Sequence, residues 1–282
     1  MSGSSEGRIN SELFTDDELQ AQLDLMVYGL TRNCHTVSSP YAYLLGGQSG
    51  AGKTLLHEIL KAKSGTNVVV INGDEYRKLH PRFDELDAVY GADSVSHTAA
   101  WSGKMTEALI GSLSSSKYNL IVEGTLRTSE VPMRTAELLR SRGYSVSLAL
   151  MAVKPEISLV SCKLRFEQMR LAGTTPRATN PAHHNKIVRD IVDNLALLES
   201  SGLFDQVFLY DRAGTCLYPT ESHSSETRDV EGQTAASQDR DERTADVPAS
   251  EVLRQKLFGA WTGAEKSHFA ALEEQLNRIL EK

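Results

Sequence analysis

The stretch Gly47-Gln48-Ser49-Gly50-Ala51-Gly52-Lys53-Thr54 decides the fold class of this chain. It matches the pattern G-x-x-x-x-G-K-[ST] at every fixed position, which a chain of this length would show by chance on the order of 1% of the time. An apolar run at residues 41–45 leads into it, and a helix-forming stretch follows from Lys53. Strand, glycine-rich loop and helix in this order predict a phosphate-binding loop.

The residue types of this loop suit the phosphate chain of a nucleotide. Glycines allow the tight curve that points backbone amides at phosphate oxygens, and the helix that follows adds a partial positive charge. The Lys53 ammonium is expected to reach the β and γ phosphates, and the Thr54 hydroxyl is expected to ligate Mg²⁺. The predicted nucleotide-binding residues are therefore Gly47, Gln48, Ser49, Gly50, Ala51, Gly52, Lys53 and Thr54.

Short apolar runs alternate with helical stretches on both sides of the loop. Strands are predicted at residues 41–45, 68–71, 120–122, 145–151 and 206–210, and helices at 53–62, 103–113, 131–142 and 156–171. This alternation is typical of parallel sheets with helices on both faces. We expect an α/β, P-loop NTPase-type, three-layer fold with a mostly parallel central sheet and a helical lid.

Two strand ends carry candidate catalytic residues, since ligands of such sheets bind at the carboxyl ends of the strands. Asp74 follows the second strand, where it could act as a general base or simply cap a helix. Glu123, Thr125 and Arg127 follow the third strand, where they suit substrate hydroxyls and phosphate, or an ordinary solvated connection. Both interpretations stay open on the sequence pattern alone.

Three arginines lie on or after the helix predicted at residues 156–171, namely Arg165, Arg170 and Arg177. Arginines in a segment that covers a phosphate-binding loop can neutralise the charge of a transferred phosphoryl group. A solvated helix face explains the same residues equally well.

Composition excludes some functional classes. The chain has 282 residues, with 30 Lys and Arg against 37 Asp and Glu and a net charge of −7, so no basic excess favours direct binding of nucleic acid or of an anionic membrane. No apolar run approaches the roughly 20 residues that cross a bilayer, and no secretory signal is visible. Three scattered cysteines are expected to be reduced. These observations favour a cytoplasmic location.

The sequence divides into four parts. Residues 1–14 are expected to be flexible, 15–218 form the kinase-like domain, and 219–249 form a flexible acidic insertion with eight acidic and three basic residues. Residues 250–282 predict a helical pair that packs on or near the domain, or else docks a partner. The four-residue stretches that begin at Thr15 and Thr262 each predict a helix-starting capping box.

Several stretches together resemble the zeta toxin family. They are the loop with its strand (residues 43–54), residues 70–74, His80-Pro81, residues 103–107, residues 118–128, and Arg177-Ala178-Thr179 with His183-His184. The resemblance runs in order from about residue 14 to Tyr218 and resumes at residues 257–261.

The resemblance implies a kinase that moves the γ-phosphoryl group of ATP, with Mg²⁺, to the 3′-hydroxyl of the amino sugar in UDP-N-acetylglucosamine. Such toxins block cell-wall synthesis and are restrained by a small antitoxin, which we expect to block the nucleotide cleft. Position by position, the resemblance implies that Asp74 is the proton acceptor, that Lys53, Arg165 and Arg177 contact phosphate, and that the sugar nucleotide contacts Glu107, Glu123, Thr125, Arg127 and Thr135.

Two alternatives remain. One is a P-loop small-molecule kinase that acts on another hydroxyl substrate, such as an antibiotic or a different nucleotide sugar. The other is a nucleotide-dependent regulatory switch that signals through the C-terminal helices. A pure switch has no need of Asp74 together with the cluster from Glu123 to Arg127.

Overall fold

A six-stranded sheet in the order β2-β3-β1-β4-β5-β6 forms the centre of the molecule. The computed structural model describes residues 13–174, 176, 178–219 and 247–281. Its strands are β1 (Tyr41–Gly46), β2 (Val69–Ile71), β3 (Leu120–Val122), β4 (Ser145–Met151), β5 (Gln206–Tyr210) and β6 (Cys216–Tyr218). Strands β1 to β5 are parallel, and β6 pairs antiparallel with β5. The predicted α/β class with a mostly parallel sheet is therefore confirmed.

Eleven α-helices are found among the described residues. They are α1 (Asp16–Thr31), α2 (Lys53–Ser64), α3 (Gly73–Tyr76), α4 (Phe83–Tyr90), α5 (Ser94–His97), α6 (Ala99–Ser115), α7 (Glu130–Ser141), α8 (Pro155–Leu171), α9 (Pro181–Ser200), α10 (Ala249–Phe258) and α11 (Gly263–Leu280). The four helices predicted inside the domain correspond to α2, α6, α7 and α8. The sequence interpretation missed α9, although Asn180 as N-cap and Pro181 as first helical residue are a recognisable start signal.

Each face of the sheet carries its own hydrophobic core, because successive strand residues point to opposite sides. On one face Ala42 and Leu44 of β1 pack with residues of α1, α6, α7, α9 and α10. On the other face Tyr43 and Leu45 pack with residues of α2, α8 and α11. The result is the predicted three-layer arrangement, and it leaves the carboxyl ends of β1, β2 and β3 free to carry a site.

The first and last helices begin as predicted. The hydroxyls of Thr15 and Thr262 each accept the amide of the residue three positions on, and the glutamate there accepts the threonine amide in return. Phe14, which we placed in the flexible N-terminus, instead lies edge-on to Trp101 with ring centroids 5.1 Å apart. An aromatic contact with a buried ring holds this end of the chain on the domain.

The C-terminal helices pack on the domain. Leu253 and Leu257 of α10 are buried in the core, and the Glu199 carboxylate accepts hydrogen bonds from the Ala249 and Ser250 amides at 2.6 and 2.9 Å. The buried Lys154 donates to the Gly259 carbonyl at 2.6 Å. Ala249, the last residue of the predicted acidic insertion, is the first residue of α10, and residues 220–246 of that insertion lie outside the described residues.

Neither a membrane-spanning helix nor a metal-binding cluster is found among the described residues. No helix there combines the length and apolarity needed to cross a membrane. No group of three or more histidine, cysteine, aspartate or glutamate side chains is placed to hold a metal ion in that part of the chain. The cysteines Cys34, Cys162 and Cys216 are all free thiols.

Candidate active site

The glycine-rich loop joins β1 to α2 in a conformation that requires glycine. Gly50 and Gly52 have φ angles of +76° and +95°, in the left-handed region that side chains disfavour. A Cβ atom on Gly50 would lie 2.1 Å from the Ser158 carbonyl oxygen and 2.7 Å from Cys162 Sγ. The loop therefore rests directly on α8, and only glycine permits this approach.

Lys53 is the first residue of α2 and turns back over the loop. Its ammonium donates to the carbonyls of Gly47 at 2.9 Å and Gln48 at 3.4 Å. Burial lowers the pKa of Lys53, whereas the negative charges of Glu123 and Asp74 raise it and the positive charge of Arg165 lowers it further. These charges act on one ammonium because the fold brings them around it.

A buried polar chain braces the loop from α8 and α9. Gln48 Nε2 donates to the Val153 carbonyl at 2.8 Å and to Ser158 Oγ at 3.2 Å, and Ser158 Oγ lies 2.8 Å from His184 Nε2. His184 is fully buried, and burial lowers the pKa of its imidazole. These hydrogen bonds connect Gln48 of the loop to the first turn of α9, which follows the expected lid residue Arg177 closely in sequence.

Arg212, which sequence analysis did not select, also bonds the loop. It follows β5, and its guanidinium donates to the carbonyls of Gly50 at 2.7 Å and Ala51 at 3.4 Å. It also bonds Ser161 Oγ of α8 at 2.9 Å and His268 Nε2 of α11 at 3.1 Å. Its only sequence signal is its position after a strand of the sheet.

Asp74 lies in the first turn of α3, immediately after β2. The N-cap of this helix is Asn72, whose side chain accepts a hydrogen bond from the Asp74 amide at 3.1 Å. The Asp74 carboxylate therefore does not cap the helix. Arg77 Nε lies 3.0 Å from Asp74 Oδ1, and Arg77 also donates to the Val95 carbonyl at 2.7 Å. Arg77 thus positions a carboxylate that is 59% exposed, and sequence analysis missed it.

Glu123 follows β3, and its amide donates to the Ile71 carbonyl at 2.9 Å, which aligns the carboxyl ends of the paired strands β3 and β2. Its Oε1 atom is 2.8 Å from His57 Nε2 on α2. Three residues later Leu126 has a φ of +51°, a strained conformation for a branched side chain. Asn194 of α9 donates to the Leu126 carbonyl at 2.9 Å and holds this turn.

The remaining residues expected to contact the sugar nucleotide lie toward α6 and α7. Glu107 of α6 is 64% exposed and pairs with Arg134 of α7 at 2.6 Å, and Thr135 follows Arg134 in that helix. Arg127 is exposed after the strained turn, and Thr125 is partly buried before it. Arg134, a cation that sequence analysis did not select, thus joins α6 to α7 through Glu107, and the Thr135 hydroxyl donates to the Val131 carbonyl of its own helix at 2.9 Å.

The expected lid, which carries Arg165 and Arg177, lies only in part within the described residues. Arg165 is exposed on α8, and its positive charge contributes to lowering the pKa of Lys53. Pro176 lines a narrow cleft of about 20 Å³ together with Asp74, Arg77 and Lys78. Arg177 lies outside the described residues, so its expected role remains a prediction. The structure thus brings Lys53, Asp74, Glu123 and Arg165 together and places Glu107 and Thr135 at a separate helix pair.

Comparisons with known proteins agree with this architecture. The family model described as Zeta toxin matches residues 27–223. The chain is 40% identical over 270 residues to toxin PezT of Streptococcus pneumoniae serotype 4, which covers 95% of this chain and 98% of that protein. It is 40% identical over 206 residues to toxin zeta of Streptococcus pyogenes, covering 73% of this chain and 72% of that protein.

A solved structure gives the same result in three dimensions. It belongs to the PezAT chromosomal toxin–antitoxin system of Streptococcus pneumoniae and superposes with a TM-score of 0.80 at 38% sequence identity. The match covers 97% of this chain and all of that one, including the C-terminal helices.

Proposed function

This chain belongs to the zeta toxin family, and we propose that it is an ATP-dependent kinase that phosphorylates the 3′-hydroxyl of the amino sugar in UDP-N-acetylglucosamine. We propose further that it is the toxin of a toxin–antitoxin pair, that it acts in the cytoplasm, and that its product blocks cell-wall synthesis.

The observation that carries the proposal is the convergence of four charged side chains on one phosphate-binding loop. Lys53 turns back over the loop, Asp74 and Glu123 follow the paired strands β2 and β3, and the charges of Glu123, Asp74 and Arg165 all shift the pKa of the Lys53 ammonium. A binding module needs the lysine and the loop. A kinase also needs groups that orient a hydroxyl acceptor and take up its proton, and the two carboxylates at adjacent strand ends suit these tasks.

Each residue has a distinct task in this reaction. A sugar hydroxyl is a poor nucleophile, so Asp74, held by Arg77, orients it and accepts its proton as the oxygen bonds to phosphorus. Lys53 and Arg165, with Arg177 by family resemblance, balance the negative charge of the phosphoryl group in transfer. Glu123 accepts hydrogen bonds from the acceptor and keeps it in line, and Glu107, Thr125, Arg127 and Thr135 contact the rest of the sugar nucleotide.

The residues present suit ATP and Mg²⁺. The left-handed glycines turn the loop so that α2 begins directly behind it, and the Thr54 side chain is exposed in the first turn of that helix. Gly47 to Thr54 would hold the phosphate chain, and the Thr54 hydroxyl would ligate the metal. Bound ATP would supply the γ-phosphoryl group and leave as ADP, and Mg²⁺ would partly neutralise the negative charge of the phosphates.

A small antitoxin protein is the proposed partner. The support is the solved toxin–antitoxin system that this chain resembles over nearly its whole length. By family resemblance we expect the antitoxin to dock on α1 and the surface near it, and an antitoxin that also covers the nucleotide cleft would exclude ATP and silence the enzyme. Hydrogen exchange with and without the antitoxin tests this, since protection confined to α10 and α11 would contradict occlusion and favour the regulatory switch.

The decisive experiment is incubation with magnesium ATP and UDP-N-acetylglucosamine, followed by mass spectrometry and NMR of the product. We expect ADP and a sugar nucleotide heavier by one phosphoryl group at the 3′-hydroxyl. Asp74→Asn should lower kcat by about 10² to 10⁴-fold with little change in KM, because it keeps the size of the side chain but cannot accept the proton. Asp84→Asn, an exposed aspartate of α4, is the matched control.

Two results would redirect the proposal. If UDP-N-acetylglucosamine returned unmodified while another hydroxyl compound was phosphorylated, the kinase would stand and the substrate would be wrong. If ATP turned over at the same rate with and without every acceptor, and Asp74→Asn had no effect, the regulatory switch would be favoured.

A further inference from the structure

The guanidinium of Arg212 is enclosed by three elements of the fold that meet behind the phosphate-binding loop. It contacts the loop itself, Ser161 on α8 and His268 on α11. Its own backbone is fixed, because the Asp211 carboxylate accepts the amides of Ala213 at 2.9 Å and Thr215 at 3.0 Å in the turn between β5 and β6. The side chain is therefore held at both of its ends.

The carbonyl groups that Arg212 bonds are those of Gly50 and Ala51. A phosphate-binding loop works by turning its amides toward the anion, and its carbonyls must then face the other way. Buried carbonyls without partners would favour other loop conformations. A cation bonded to two of them at once stabilises the amide-inward form, and its charge adds to the positive potential that the phosphates meet.

The charge of Arg212 is not matched by a nearby acid. Among the residues that the structure describes, no carboxylate lies within ion-pair distance of its guanidinium. A partly buried cation without a counter-charge is costly unless an anion comes close. The loop in front of Arg212 is built for such an anion.

His268 completes the arrangement from α11. Arginine can only donate, so His268 Nε2 must be the acceptor and the imidazole must be neutral. His268 is exposed, but partial desolvation on the side that faces the domain lowers the pKa of its imidazole and the charge of Arg212 lowers it further, which agrees with a neutral ring. The C-terminal helix thus fixes the side chain that fixes the loop.

We propose that Arg212 is a positioning residue of the nucleotide site, which holds the phosphate-binding loop ready for a nucleoside triphosphate, and that His268 holds Arg212 in that position. The proposal rests on the proposed function only in that the loop binds ATP. It assigns α11 a part in nucleotide affinity, beyond its packing on the domain.

The test compares Arg212→Ala and Arg212→Lys with Arg189→Ala, which removes a 73% exposed arginine of α9. Magnesium ATP affinity is measured by calorimetry, and KM is measured separately for ATP and for the acceptor. Arg212→Ala should weaken ATP binding about tenfold and raise KM for ATP, with less than about a twofold change in KM for the acceptor. Arg212→Lys should fall between, since one ammonium cannot reach all four partners, and Arg189→Ala should match the unaltered chain.

A second pair of variants tests the contribution of α11 by itself. His268→Ala should weaken ATP binding about threefold, and His268→Gln should restore it because the amide oxygen can again accept from Arg212. Equal ATP affinity in the unaltered chain, Arg212→Ala and His268→Ala would overturn the proposal, and so would a loss confined to thermal stability. If the unaltered chain itself failed to bind magnesium ATP, the proposed function would fall first, and that result is distinct from equal binding by all variants.

Discussion

His57 and Glu123 face each other across the gap between α2 and the end of β3, with Nε2 and Oε1 2.8 Å apart. Both side chains are largely buried, at 12% and 15% exposure. Their contact links the helix that follows the phosphate-binding loop to the strand end that is proposed to hold the acceptor. A shift of either element therefore moves a residue of the other half of the site.

His57→Phe should raise KM for the acceptor without changing KM for ATP. The phenyl ring keeps most of the volume but offers nothing to the Glu123 carboxylate, which then loses its orientation. We expect KM for the acceptor to rise about tenfold, with KM for ATP nearly unchanged. His35→Phe, at an exposed histidine, is the control. A rise in KM for ATP alone would show that His57 serves the loop and not Glu123.

Lys53→Ala should remove activity without unfolding the chain. Among the described residues the ammonium donates hydrogen bonds only to loop carbonyls, and burial lowers its pKa, so its removal costs the folded state little. We expect turnover to fall by at least about a hundredfold, while circular dichroism and melting temperature stay close to those of the unaltered chain. Lys266→Ala on α11 is the control, and full turnover in Lys53→Ala would refute the loop assignment.

Gly50→Ala should damage both stability and nucleotide binding. The new methyl group would overlap the Ser158 carbonyl oxygen, and the φ of +76° disfavours any side chain. We expect a loss of about 2 kcal/mol or more in the free energy of unfolding, measured by urea denaturation. Gly111→Ala, where nothing lies within 4 Å of an added Cβ on α6, should instead stabilise by about 0.5–1 kcal/mol.

His184 should make the folded state sensitive to mild acid. Burial places the pKa of His184 below its ordinary value of 6.5, so the unfolded chain binds more protons between those two values. This contribution to the free energy of unfolding is complete above pH 6.5 and is lost as the pH falls toward the pKa of the folded state. His184→Gln should flatten that pH dependence, as followed by urea denaturation from pH 5 to pH 8.

His183→Gln is the matched control for this experiment, because His183 is the exposed neighbour in the same turn of α9. It should leave the pH dependence as it is in the unaltered chain. An equal flattening in both variants would mean that the effect comes from α9 as a whole and not from the buried ring.

The sequence predicts the parts of this protein that depend on local pattern. The loop from Gly47 to Thr54, the buried strands and the two capping boxes follow from spacing and residue type, and the structure has all of them. Among the members of the site that the sequence did not reveal, His57, Arg134 and Arg212 act through tertiary contacts, whereas Arg77 pairs with Asp74 only three residues away and is also held by the Val95 carbonyl. Arg212 reaches Gly50 across 162 positions of chain, and no local pattern marks such a contact.

The hydrogen bonds from the first turn of α10 to the Glu199 carboxylate have a practical consequence. The chain enters residues 220–246 from β6, which pairs with β5, and leaves them into a helix that is capped and buried on α9. Both borders are thus fastened to the same body independently of the peptide that joins them. A version cut within residues 220–246 should hold together as two fragments of unequal length, so the proposed activity could be switched on by mixing a large N-terminal fragment with a short C-terminal one.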